Sequence, residues 1–90
     1  MILNKNFLLP AHIMFQTFDD EAVLLDIRTQ EHFSLNPIAS LFIQSIQEHK
    51  STKASIENIL NEYEVTQEAL ETDLKHLVEE LIKHKLIEVI

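Results

Sequence analysis

Residues 21–36 read EAVLLDIRTQEHFSLN, and how this stretch is divided decides the fold. Val23, Leu25 and Ile27 alternate with Leu24, Asp26 and Arg28, the period-two pattern of a half-buried strand. Two short apolar runs result, Ala22–Ile27 and His32–Asn36, joined through Thr29, Gln30 and Glu31 by a tight connection without glycine. Upstream, His12–Phe18 alternates too, with Ile13, Phe15 and Thr17 on one face and Met14, Gln16 and Phe18 on the other. The polar pair Asp19 and Asp20 turns this run into the next. Three strands in meander order are predicted, the last of them short, His32–Leu35.

Beyond Asn36 the period changes from two to that of a helix. Asn36 followed by Pro37 is a helix start, a side-chain cap and then a residue whose missing N–H costs nothing there. Ile38, Leu41, Phe42 and Ile46, flanked by Ala39 and Ile43, give this first helix a wide apolar face and make it the most buried. Thr52 is the predicted cap of a second helix, with Ile56, Ile59, Leu60 and Tyr63 at helical spacing. Thr66 caps a third that runs to about His84, its stripe being Leu70, Leu74, Leu77 and Leu81. Glu68 and Glu71 near its start and Lys83, His84 and Lys85 near its end complement the helix dipole. Residues 1–11 form an arm ending at Pro10 that packs Phe7, Leu8 and Leu9 on the body, and Leu86–Ile90 is an apolar tail lying back on the core. Residues 12–90 make a single α+β domain, three antiparallel strands followed by three helices.

Three helices are too few to cover such a sheet completely. The short strand His32–Leu35 is left at an edge, with unpaired backbone groups beside an amphipathic helix. An edge of that kind accepts a visiting peptide as an extra strand.

Charge narrows the partner. The 90 residues carry 15 acids against seven bases, a formal charge of −8, and Arg28 is the only arginine. Binding duplex DNA needs clustered Lys and Arg to displace phosphate counterions, and none are clustered here. Three helices with a small sheet are compatible with a winged-helix DNA-binding regulator. Its reading helix, however, would hold Glu68, Glu71, Asp73, Glu79 and Glu80 against Lys75 and Lys83. An anionic membrane surface is disfavoured for the same reason, and no apolar stretch approaches the ~20 residues of a membrane span. The opening Met1–Pro10 has no small-residue cleavage site, so no secretory signal is expected. The absence of cysteine fits the cytoplasm.

Catalytic constellations are missing as well. His76 and His84 stand two helical turns apart, about 12 Å, too far to share one ion. His12, His32 and His49 fall on separate elements with no ligand-type spacing. There is no glycine, hence no phosphate-cradling loop, and Ser34, Ser40, Ser45, Ser51 and Ser55 lack a nucleophile-elbow context. Glu79 and Glu80 read as a solvated face. A non-enzyme without metal or cofactor is expected.

Taken in order, these segments resemble the PqqD-like family, whose domains are also called RiPP recognition elements. The pattern is a strand of the type xVLLDL, a turn, a short strand ending in Leu-Asn, a helix, a Thr-capped helix, and a longer helix with Asp ahead of a leucine stripe. Val23, Leu24, Leu25, Asp26, Leu35, Asn36, Thr52, Ile56, Tyr63, Asp73, Leu77, Leu81 and Leu86 match it, over about residues 12–89. Two glycines of the pattern are missing. The turn between the second and third strands has none, and Lys85 stands where a glycine closes the last helix. A non-glycine residue in the left-handed conformation costs about 1 kcal/mol, so the helix is expected to end differently here. The tyrosine-proline-glycine character that follows the LL pair in PqqD itself is also lacking. The resemblance is therefore nearer to the free-standing members of lasso-peptide pathways.

The resemblance implies a winged-helix-like domain that binds the leader of a ribosomally made precursor peptide. The leader would add antiparallel to the third strand, in the groove between it and the third helix, for presentation to a separate leader peptidase, cyclase or other modifying enzyme. Residues expected at this groove are Arg28, Glu31, His32, Phe33 and Ser34 from the sheet, and Leu70, Asp73, Leu74, Leu77 and Val78 from the helix. Each has a plainer alternative. The leucines serve equally as core, Asp73 as a solvated helix charge, and Arg28 as the partner of Asp26 or Glu31 in a surface pair worth ~0–1 kcal/mol. A structural adaptor that pairs with itself through the same edge is a further alternative.

Overall fold

The structure, a computed structural model, describes residues 2–19, 21–49 and 51–90. Asp20 of the predicted polar turn and Met1 of the arm lie outside the described residues. The three expected strands form one antiparallel sheet, β2 (Ile13–Phe18), β3 (Glu21–Asp26) and β4 (His32–Leu35), in meander order. Phe15 opposes Leu24, and Leu24 opposes Phe33. This register puts Ile13, Phe15, Ala22, Leu24, Asp26, Phe33 and Leu35 on one face. Ile13, Ala22, Leu24 and Leu35 of that set are buried.

Helix α1 (Pro37–His49) follows β4 after a single residue, and Asn36 caps it by accepting the Ala39 N–H at 2.8 Å. Its Phe42 and Ile46 are buried as the apolar pattern predicts, together with the flanking Ala39 and Ile43, whereas Ile38 and Leu41 are half-buried. Helix α2 (Thr52–Glu62) is capped by Ser51 rather than Thr52: the Ser51 hydroxyl accepts the Ala54 N–H at 3.2 Å. Thr52 is buried and has another task. Its hydroxyl donates to the Lys5 carbonyl at 2.7 Å and its N–H to Asn6 Oδ1 at 3.1 Å, which ties the N-terminal arm to the helix.

Helix α3 (Gln67–Lys83) has its predicted cap, Thr66, which accepts the Ala69 N–H at 3.1 Å. The core row of this helix is Leu70, Leu74, Val78 and Leu81, so Val78 takes the place predicted for Leu77. The spacing 70, 74, 78, 81 follows the 3.6-residue period closely, and a leucine at 77 falls to one side. The helix does not end differently for want of glycine. Lys85 adopts φ 60°, its N–H bonds to the Ile82 carbonyl at 2.9 Å, and the Leu86 N–H bonds to that of Leu81 at 2.8 Å. This is the Schellman arrangement, and Leu81 and Leu86, between which its longer bond runs, are both buried in the core. Gln30, in the glycine-free turn, likewise sits at φ 66°.

Arm and tail meet in a ribbon the sequence did not reveal. Strand β1 (Phe7–Leu8) pairs antiparallel with β5 (Glu88–Val89), Phe7 opposite Val89. Phe7, Leu3, Leu86 and Ile87 join the same core as the sheet and helices, whereas Leu8 and Val89 remain exposed. No helix among the described residues is long and apolar enough to cross a membrane.

Candidate functional site

The far edge of β4 has no strand partner among the described residues. Two backbone bonds fix which groups face it. The Asp26 N–H donates to the Glu31 carbonyl at 2.9 Å, and the Ile27 N–H to that of His12 at 3.0 Å. Bonded pairs recur at every second residue of an antiparallel ladder. Ala22, Leu24 and Asp26 therefore direct their backbone groups at β4, and Val23 and Leu25 theirs at β2. Phe33 and Leu35 complete the bonds to β3. The N–H and C=O of His32 and Ser34 are left pointing off the sheet, and their side chains are exposed.

Across from this edge runs α3, in the direction opposite to β4. Two depressions lie between them. One, of about 310 Å³, is bounded by Asn36, Ile38 and Ala39 where β4 gives way to α1, and by Asp73, Leu74, His76 and Leu77 of α3. The other, of about 220 Å³, lies at the start of β4 and is lined by Asp26, Thr29, Glu31, His32, Phe33, His84 and Leu86. There the Phe33 and His84 rings meet at 6.2 Å between centroids, tilted by 49°. Asp73, Leu77 and His84 are spaced by four and seven residues, so they form a second row on α3 beside its core row. Glu80 belongs to that row and approaches His84 Nε2 at 4.0 Å.

Asp26 anchors the turn that leads into β4. Its Oδ1 accepts the N–H groups of Arg28 at 2.9 Å and Thr29 at 3.3 Å. Desolvation pushes its carboxyl pKa up, but these two donors outweigh it, aided by the guanidinium charge of Arg28. The net displacement is below the ordinary carboxylate value. Arg28 stays on the outside of the turn, where Nη2 donates to His12 Nε2 at 2.8 Å and Nε lies 4.0 Å from Asp26 Oδ1.

The residues expected from the sequence thus divide. Glu31, His32 and Phe33 line one depression, and Asp73, Leu74 and Leu77 the other, with Ser34 on the edge between them. Leu70 and Val78 are core residues that line neither. Arg28 is held at the turn by His12 and Asp26. Sequence reasoning missed His84, Leu86, Ile38 and His76. His84 stands seven residues after Leu77, so helical spacing alone carries a signal for it, whereas Ile38 and Leu86 reach the groove only through tertiary packing. Among the described residues no cluster of His, Cys, Asp or Glu could hold a metal ion.

Comparison with solved structures finds this fold twice with a peptide bound. One is described as TbiB1 in complex with the TbiA(beta) leader peptide. It is 28% identical, has a TM-score of 0.80, and the match covers 89% of this chain and 93% of that chain. The other is described as lasso peptide synthetase B1 complexed with the leader peptide. It is 30% identical, also at a TM-score of 0.80, with 92% of this chain and 98% of that chain covered. No curated protein sequence matches. The sequence profile of the family described as coenzyme PQQ synthesis protein D (PqqD) matches residues 21–87, the sheet from β3 onward together with all three helices. The chain belongs to the PqqD family.

Proposed function

We propose that this protein binds the leader segment of a ribosomally made precursor peptide by strand addition to β4, and hands the precursor to a separate enzyme without catalysing a step itself. The observation that carries this reading is the outward-facing backbone of His32 and Ser34 beside the depressions against α3. It is supported by the likeness to two proteins solved with leader peptides. An antiparallel leader enters beside Leu35 and Asn36, runs along the edge, and leaves beside His32. Its inward side chains reach first the depression at Ile38 and Leu77, then the one at Phe33 and His84.

The energetics suit the task. The N–H and C=O groups of His32 and Ser34 offer up to four main-chain hydrogen bonds, each worth ~0.5–1.5 kcal/mol net. One or two leader side chains buried in the depressions add ~1.5–3 kcal/mol each. Less an association cost of ~4 kcal/mol, the upper end of these contributions leaves about −8 kcal/mol, a micromolar complex. Calorimetric titration with a synthetic leader peptide from a precursor gene found beside this one is expected to saturate in that range. A flat titration at tens of micromolar would sink the reading.

A further inference from the structure

The depression at the start of β4 carries a charge pattern that strand addition by itself does not need. The bond from the Asp26 N–H to the Glu31 carbonyl makes these residues cross-strand partners, one step beyond Leu25 and His32. Both side chains therefore fall on the helix-facing side of the sheet, as that of Phe33 does, and both line the depression of about 220 Å³. Carboxylates placed opposite each other on a strand pair repel. Asp26 is only 8% exposed, and of its two oxygens only Oδ1 has partners among the described residues. The carboxylate of exposed Glu31 has none among them. We infer that this depression selects a lysine or arginine side chain of the leader, which Glu31 and Asp26 hold between them, and that it thereby decides which leaders the protein accepts.

This inference rests on the leader-binding reading and deepens it. A leader antiparallel to β4 turns inward the side chains that face Leu35, Phe33 and Glu31, every second residue. The residue facing Glu31 thus comes four after the one facing Leu35, and Phe33 is its diagonal neighbour, within reach of a long side chain. Phe33 and buried Leu86 give an aliphatic stem something to lie on, and the carboxylates give its charged head a partner. No cation of the protein already fills that role. Arg28 does not line the depression: its Nη2 bonds to His12 outside the turn, and its Nε lies 4.0 Å from Asp26 Oδ1. His32 and His84 do line it, but Glu80 Oε2 stands 4.0 Å from His84 Nε2 and adds a third acid. The Asp26 carboxyl, lowered by its two N–H donors, stays ionised at neutral pH, and the net charge of −8 draws in a basic segment. An acidic leader residue here meets like charge. An apolar one covers the carboxylates with a strand and leaves them without a partner.

The test titrates the full chain with fluorescent synthetic leaders from a precursor gene found beside this one, with Lys, Leu and Glu placed at each position in turn. At one position the parent is expected to bind the Lys peptide at least fivefold tighter than the Leu peptide and at least twentyfold tighter than the Glu peptide. Glu31→Lys, a change at an exposed side chain, is expected to invert that order, so that the Glu peptide binds at least fivefold tighter than the Lys peptide. Glu57→Lys makes the same charge change on an exposed position of α2 and leaves the order as in the parent. A parent that favours Leu over Lys at every position overturns the inference and leaves leader binding intact. So does an order that Glu31→Lys does not alter, or one that Glu57→Lys inverts equally. Should Glu31→Lys bind none of the peptides, Glu31→Gln gives the reading: a Lys-to-Glu ratio reduced at least threefold supports the inference, and an unchanged ratio overturns it. If the parent itself binds no leader, the binding reading fails first and takes this inference with it.

Discussion

Leu77 and Val78 are neighbours in sequence with opposite assignments, which makes them a sharp probe of the groove. Val78 is fully buried in the core row of α3, and Leu77 is half-buried against Ile38 in the depression facing β4. Val78→Ala removes about two buried carbon groups at ~0.8 kcal/mol each and leaves a small cavity, for a loss of about 2–3 kcal/mol. In a domain of this size each kcal/mol moves the melting temperature by about 4–8 °C, so it falls by roughly 10–20 °C. Leu77→Ala costs less than about 1 kcal/mol of stability, because the side chain is already partly in water. In the leader complex it removes a wall of the first depression, and about 1–2 kcal/mol of affinity goes with it, a five- to thirtyfold rise in Kd. Thermal melts followed by circular dichroism and leader titrations on both variants, held well below the lower melting point, separate the two effects. Equal destabilisation by the two substitutions, or an unchanged Kd for Leu77→Ala, would refute the division of α3 into a core row and a groove row.

Two further predictions concern the turns and acid. Lys85→Gly and Gln30→Gly relieve side chains at φ 60° and 66°. Each is expected to stabilise the protein by about 0.5–1 kcal/mol after the extra unfolded-state entropy of glycine is offset, read as a higher urea midpoint. A lower midpoint for either contradicts the left-handed assignment at that residue. The Asp26 carboxyl is lowered in the folded state, so it contributes stability at neutral pH that is lost as pH falls through its folded value. Asp26→Asn keeps an oxygen acceptor for the Arg28 and Thr29 N–H groups and is expected to flatten the loss of stability below the ordinary carboxylate range. An acid profile identical to the parent's refutes that role.

The parts of the fold that local pattern dictates were legible. Alternation in residues 13–18 and 21–26, the Asn36 and Thr66 caps and the apolar face of α1 all appear where the sequence puts them. What was hidden depended on contacts distant in sequence. Thr52 looks like a cap because it is a threonine before a helix. Ser51 caps instead, and Thr52 bonds to Lys5 and Asn6, 47 and 46 residues away. The two-residue strands of the β1–β5 ribbon are too short to show a period, and they exist because the arm and tail meet over the core. Lys85 shows the reverse case: a lysine stands in the left-handed conformation where local preference asks for glycine, at a helix end whose Leu81 and Leu86 are both buried in the core. Within the groove, the edge strand and the Asp73–Leu77 flank were readable from spacing. That Leu70 and Val78 belong to the core and line neither depression emerges only from the packing of α3.

Amide hydrogen exchange of the free and leader-loaded protein tests the strand-addition claim most directly. The amides of Phe33 and Leu35 bond to β3 in both states, whereas those of His32 and Ser34 face outward until a strand arrives. Slowing of His32 and Ser34 on addition of leader, with Phe33 and Leu35 already slow beforehand, is the predicted result. Saturable leader binding with His32 and Ser34 exchanging as fast as before would contradict it.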